Sequence, residues 1–229
     1  MNRILLNIIV LTFCINLSFA QTVQEDFEKI AKLYEKRSYS YNISYAYYND
    51  ISSNNASEVL NGFVKLNGNN FHYKIGDNEV FRNTKYIVVL DRSSKTLMLD
   101  TVFQQERYTN TKIDMTELLK VYEGVTKEQK NGYTQYKLND PQAGVAYMTI
   151  DVNDSIGYIQ GIGMYFLENR KGKDPKSLRN KLIITCSNVK METNYPAIYF
   201  NENKYFTREN KKIQISPTFK NYDLINHLN

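Results

Sequence analysis

Acid–base chemistry would have to be built from histidines and paired carboxylates, and this chain holds few of the first. Its two histidines are His72 and His227. His72 lies between Phe71 and Tyr73, so strand alternation sends it to the opposite face from both, with a solvent or backbone partner expected there. Neither histidine has a partner at H-x-x-x-H spacing, and no metal centre is expected. Asp91 and Asp100 bracket a hairpin signal as two exposed carboxylates, the residue types a glycosidase pairs. Asp151 and Asp154 flank a turn as D-x-x-D, where side-chain capping of the turn accounts for them better than calcium does.

Other catalytic signatures are missing from the sequence. It has no G-x-S-x-G elbow, C-x-x-C or phosphate-binding G-x-x-x-x-G-K-[ST]. Gly161-Ile162-Gly163 lacks the third glycine of a dinucleotide loop and sits inside a strand pattern. Cys186 alternates with Leu182 and Ile184, the setting of an inert buried thiol rather than a nucleophile. No catalytic residue and no cofactor is therefore assigned. A hydrolase with unrecognised carboxylates stays as the last alternative. Sequons at Asn42, Asn55 and Asn153 matter only where the secretory route glycosylates them.

The segment 1–20 bears on where such a chain works. Arg3 precedes an apolar run from Ile4 to Phe13, and Ser18-Phe19-Ala20 offers small residues at the −3 and −1 positions. These are the parts of a cleaved secretory signal, and the run is shorter than the roughly 20 residues that span a bilayer. Phe13 before Cys14 argues against lipidation. The expectation is an exported protein, periplasmic or extracellular, with no stable membrane anchor and a single β-rich domain over 21–229. If Cys14 leaves with the signal, Cys186 has no intramolecular partner, so packing must stabilise the core. The net charge of +5 is spread along the chain, densest at 170–173 and 211–212, and matches no nucleic-acid-reading motif.

Periodicity places the elements. Val23, Phe27, Ile30 and Tyr34 recur at helical spacing, with acids in the first turns. Alternation then takes over at 39–47, 60–66, 71–75, from 79, at 86–90 and at 96–99. A short helix is expected at 117–122, with Asp114 or Thr116 as N-cap and Gly124 as its end. Strands resume at 133–138, 145–152, 156–166 and 182–189, and residues 205–215 supply one or two edge strands. The fold class is mainly β (α+β): an antiparallel, incomplete or half-open barrel with an N-terminal and a mid-chain helix, and a β-sandwich as the competing fold. A monomer is expected.

An aromatic surface remains. Tyr41, Ile43, Tyr45 and Tyr47 share one strand face, and Phe63, Phe71 and Tyr73 sit on its expected neighbours. Such a surface is either a filled core or the wall of a cavity for an apolar ligand, and tyrosines suit both.

The order of these elements resembles the periplasmic lipoprotein carriers of the LolA/LolB type. The likeness lies in Gly62-Phe63-Val64-Lys65-Leu66, Asn70-Phe71-His72-Tyr73 and Tyr86-Ile87-Val88-Val89-Leu90-Asp91, and covers roughly residues 23–100 and, more loosely, 145–189. The family's tryptophan-containing hairpin has no counterpart, since the chain has no tryptophan. Arg82 and Arg107 are nominal candidates for the family's lid-holding arginine, and no site is carried over. The resemblance implies an unclosed barrel whose apolar interior receives acyl chains of a lipid or lipoprotein, without catalysis. The alternative is an envelope protein that binds protein or glycan through its surface.

Overall fold

The computed structural model describes residues 23–35, 38–102, 124–139, 145–167, 178–191, 194–210 and 212–228. Outside these residues lie the signal segment, the helix expected at 117–122, Arg107, most of the charged loop from 168, and the basic cluster 170–173.

Helix α1 spans residues 23–35. The first strands are β1 (Ser38–Tyr48), β2 (Glu58–Asn67), β3 (Asn70–Ile75), β4 (Asn78–Arg82), β5 (Tyr86–Asp91) and β6 (Thr96–Thr101). After the mid-chain come β7 (Gly124–Gln129), β8 (Tyr133–Asn139), β9 (Val145–Asn153), β10 (Ile159–Leu167) and β11 (Leu178–Met191). The C-terminal part adds β12 (Phe206–Glu209), β13 (Lys212–Ile215) and β14 (Asp223–Asn226). Twelve strands form a large sheet that does not close into a barrel, and β12 pairs with β13 as a separate ribbon. Among the ladders whose register is described, all are antiparallel except β14–β6, which is parallel. Two of these strands were not expected: β7, which starts at Gly124 where a helix end was read, and β14. Instead of lining the sheet edge, residues 206–215 form their own ribbon, and β14 takes the edge beside β6.

The chain divides into two compact units. The first comprises residues 1–35, 47–55 and 113–183. Within it the apolar stripe of α1, Val23, Phe27 and Ile30, packs on Tyr136, Leu138, Met148, Ile150, Val152 and Ile159 of β8–β10. Burying Phe27 there contributes on the order of 1.5–3 kcal/mol. The ring of Phe27 meets Tyr136 edge-on at 4.9 Å. Asp26 sets the helix's rotation, accepting from the Tyr136 hydroxyl at 2.9 Å and from Lys127 Nζ at 2.5 Å.

The second unit comprises residues 36–46, 56–112 and 184–229. Its strands run β14-β6-β5-β4-β3-β2-β1. Two-residue turns set the register, among them Gly76-Asp77, where Gly76 takes a φ of 52° that favours glycine. Gly62 answers a different need: a Cβ there would lie 1.8 Å from the Lys74 carbonyl oxygen, so β2 and β3 meet only without a side chain.

Candidate functional site

Directly paired residues of an antiparallel sheet point to the same side, so the register of the second unit sorts its side chains onto two faces. One face carries the rows Phe63–Lys74–Glu79–Leu90–Leu97 and Lys65–His72–Phe81–Val88–Leu99. The other carries Val64–Tyr73–Val80–Val89–Met98 and Leu66–Phe71–Arg82–Ile87–Asp100. Ile225 of β14 pairs with Met98 and extends the first of these latter rows.

The two faces differ in burial. On the first, Val88, Leu90, Leu97 and Leu99 are 0% exposed and pack with Phe200, Tyr205, Phe206, Phe219 and Leu228 of the C-terminal segment. This is the covered face. On the second, Val64, Ile87 and Asp100 are buried, while Tyr73, Val80, Val89 and Met98 are half-buried and Ile225 is 44% exposed. This second surface is the tyrosine face. Burial comes first, and the neighbouring Tyr45 with its hydrogen bond second, in holding the Tyr73 phenol well above the usual tyrosine range. That contact brings Tyr45 onto the tyrosine face, and strand alternation puts Tyr41 and Ile43 there with it. Phe71 and Tyr73 stack at 6.3 Å, and Tyr39 and Tyr41 at 6.1 Å.

The structure therefore brings together Tyr41, Ile43, Tyr45, Phe71 and Tyr73. Phe63 falls on the covered face, paired with Lys74 and edge-on to the His72 ring at 4.9 Å. Tyr47 belongs to the first unit, where its hydroxyl accepts from Asn180 Nδ2 at 2.5 Å. Val64, Val80, Val89 and Met98 complete the tyrosine face and were not singled out in the sequence. Their signal was present as alternation, and only the register tells which phase faces which way.

His72 departs from expectation. It is buried, and its partner is a side chain: Nε2 lies 2.8 Å from Glu79 Oε1. An ionised carboxylate only accepts, so Nε2 carries the proton. Glu79, 2% exposed, also accepts from the Tyr205 hydroxyl at 2.5 Å, Lys204 Nζ at 2.9 Å and Arg92 Nη2 at 2.7 Å. Burial is the largest single influence on Glu79 and opposes ionisation. The hydrogen bonds from His72, Tyr205 and Lys204, with the charge of Lys204, together outweigh it and hold the carboxyl far below its usual range. The cluster ties the C-terminal segment to the sheet, with its oxygens occupied by protein donors.

The remaining acids also find structural partners. Asp91 caps its turn, accepting from Ser93 Oγ at 2.6 Å and from the Ser93 and Ser94 amides, and these bonds, the Ser93 hydroxyl first, lower it to about 2. Asp100 is buried rather than exposed, with Oδ1 accepting from the Thr101 amide at 2.7 Å and Oδ2 3.7 Å from His227 Nδ1. Asp91 pairs with Thr96, four residues before Asp100, which separates the two acids by about 14 Å along the strand. Glycosidase pairs need about 5–9.5 Å, so these two do not form one. Asn153, rather than Asp151 or Asp154, caps the turn after β9, through the Ser155 amide and hydroxyl. Asp154 instead accepts from Thr134 and Gln129, and Asp151 from Gln135. Burial pushes the Cys186 thiol up to about 11. No group of three metal-ligating side chains occurs among the described residues.

No family model matches the chain, and no curated protein matches it. Solved structures do, at low identity. An uncharacterised conserved protein from Thermus thermophilus is 14% identical with a TM-score of 0.47, covering 90% of this chain and 99% of its own. A LolA superfamily protein from Nitrosomonas europaea is 14% identical with a TM-score of 0.34, covering 79% and 97%. Lipoprotein LppX of Mycobacterium tuberculosis is 10% identical with a TM-score of 0.44, covering 77% and 99%.

Proposed function

We propose that this chain is a non-enzymatic binding protein that takes up an apolar chain, such as the acyl chain of a lipid or lipoprotein, along its tyrosine face. One observation supports this above the rest. Val88, Leu90, Leu97 and Leu99 on one face of the strands are fully buried, whereas the row on the other face runs from buried Val64 through half-buried Tyr73, Val80, Val89 and Met98 to exposed Ile225. Five strand spacings make this row about 24 Å long, against the roughly 15 Å of hydrocarbon in half a bilayer. An extended acyl chain fits along it. Burial would stabilise the complex by roughly 25 cal/mol per Å² of apolar surface, less the cost of ordering the chain. The phenols of Tyr45 and Tyr73 stand at the β1 end, where they meet the polar end of an amphiphile.

Export to the periplasm and a monomeric state belong to the same proposal, since a carrier moves between membranes only when free of both. Native mass spectrometry of protein purified from its own host tests it. A co-purified lipid or acylated peptide is expected. A bare chain that also shows no saturable uptake of a fluorescent fatty acid overturns it.

A further inference from the structure

A groove of about 720 Å³ opens on the covered face of the second unit, at the margin of the C-terminal segment. It shares Tyr41 and Val64 with the tyrosine face and adds polar and charged groups. Ser40, Asn42, Asn188 and Asn194 give it hydroxyl and amide groups, and Lys65 and Lys190 give it charge. Its rings are Tyr41, Phe63, Tyr195 and Tyr199, the last two 5.7 Å apart and near-perpendicular. No acidic residue is among its described lining residues. Lys65 Nζ is held 4.9 Å over the Phe63 ring and 5.2 Å over the Tyr199 ring. Among the described residues no carboxylate pairs with Lys65 or Lys190. Asn188 keeps a left-handed φ of 51° inside β11 while lining the groove.

We infer that this groove binds an acidic saccharide. A pyranose has an apolar C–H face and a rim of hydroxyls. The first stacks on an exposed ring such as Tyr199, 51% exposed, and the second pairs with amides that both donate and accept. Two cations with no carboxylate partner among the described residues then select a uronate or sulfate over a neutral sugar, through charge-assisted hydrogen bonds. A lipid acyl chain would leave the serine and asparagines unpaired, at a desolvation cost. The volume suits a short oligosaccharide. Tyr41 and Val64 border both the groove and the tyrosine face, so the saccharide is told from an acyl chain by Lys65 and Tyr199, which line the groove alone.

Isothermal titration calorimetry of the purified chain tests this with three probes: tetragalacturonic acid, neutral maltotetraose and phosphatidylglycerol vesicles. Tetragalacturonic acid is expected to bind, and maltotetraose at least about tenfold more weakly. Lys65→Gln and Tyr199→Ala are each expected to lower affinity for the acid roughly tenfold, and Lys95→Gln, at the exposed β5–β6 turn, less than about twofold. Tyr199 is exposed, so its truncation leaves the fold intact. No binding of the acid at millimolar concentration, equal binding of the neutral sugar, or affinity that survives both groove substitutions overturns the inference. Binding to the vesicles with none to the oligosaccharide assigns the groove to a lipid headgroup and overturns it equally.

Discussion

The Tyr205 hydroxyl donates to Glu79 Oε1 across 126 positions of chain, closing 2.5 Å between the C-terminal segment and the middle of the sheet. Tyr205 is fully buried, and its ring stacks on Phe219 at 6.0 Å and tilts against Phe81 at 5.0 Å. The bond therefore sits inside the apolar core it helps to orient. With it, Phe200, Tyr205, Phe206, Phe219 and Leu228 of the C-terminal segment pack on one face of the strands.

Glu79→Gln keeps the shape and removes the charge. Arg92, whose Nη1 is already buried without a partner, and Lys204 then face a neutral amide. Breaking a buried pair costs about 3–5 kcal/mol, and the exposure of Lys204 and part of Arg92 reduces this to about 2 kcal/mol. Tyr205→Phe loses about 1 kcal/mol. Urea denaturation midpoints measure both, and a Glu79→Gln midpoint equal to the wild type would show that the cluster does not hold the cover.

The same carboxylate gives a pH dependence. Its folded pKa lies below the ordinary 4.5, so its stabilisation is fully present above about pH 4.5 and is lost as the pH falls from there toward the folded value. Stability measured from pH 6 downward is expected to fall more steeply in the wild type than in Glu79→Gln. Parallel curves would contradict the assignment.

Leu97 and Met98 are neighbours on β6 that point to opposite faces. Leu97→Ala opens a cavity in the covered core and is expected to cost about 3 kcal/mol. Met98→Ala, half-buried, is expected to cost about 1 kcal/mol or less, while weakening acyl-chain uptake that Leu97→Ala leaves in the folded fraction. Thermal melts and fatty-acid titrations on the two variants separate the roles.

Gly62→Ala places a methyl within 1.8 Å of the Lys74 carbonyl, and β2 must move away from β3. The expected loss is at least 2 kcal/mol, about the scale of overpacking in a core. A melting temperature within about a degree of the wild type would show that the strands separate without cost.

Strand alternation was legible because each strand of the second unit has a distinct environment on each side. It placed β1 to β6 and sent His72 away from Phe71 and Tyr73. It could not place Phe63, because assigning a face to β2 requires its register with β3, and one residue of slip reverses every side chain. The two-residue turns were the available signal: with Asn67 opposite Asn70 across Gly68-Asn69, Phe63 meets Lys74, and with Ile75 opposite Asn78 across Gly76-Asp77, Lys74 meets Glu79. Glu79 was thus within reach as a same-face neighbour of His72. Arg92, Lys204 and Tyr205 were not, since they arrive through distant packing that no local pattern encodes. The parallel strand β14 was missed for the same reason, as its four residues are held by pairing with β6 rather than by an apolar pattern of their own.

Photo-crosslinking with a diazirine-bearing palmitate, followed by peptide mapping, tests most directly whether the tyrosine face holds an apolar chain. Adducts are expected along Tyr73, Val80, Val89 and Met98, competed away by unlabelled palmitate and lost in Val89→Asp. Adducts confined to the groove at Lys65 and Tyr199, or labelling that excess palmitate does not reduce, would contradict it.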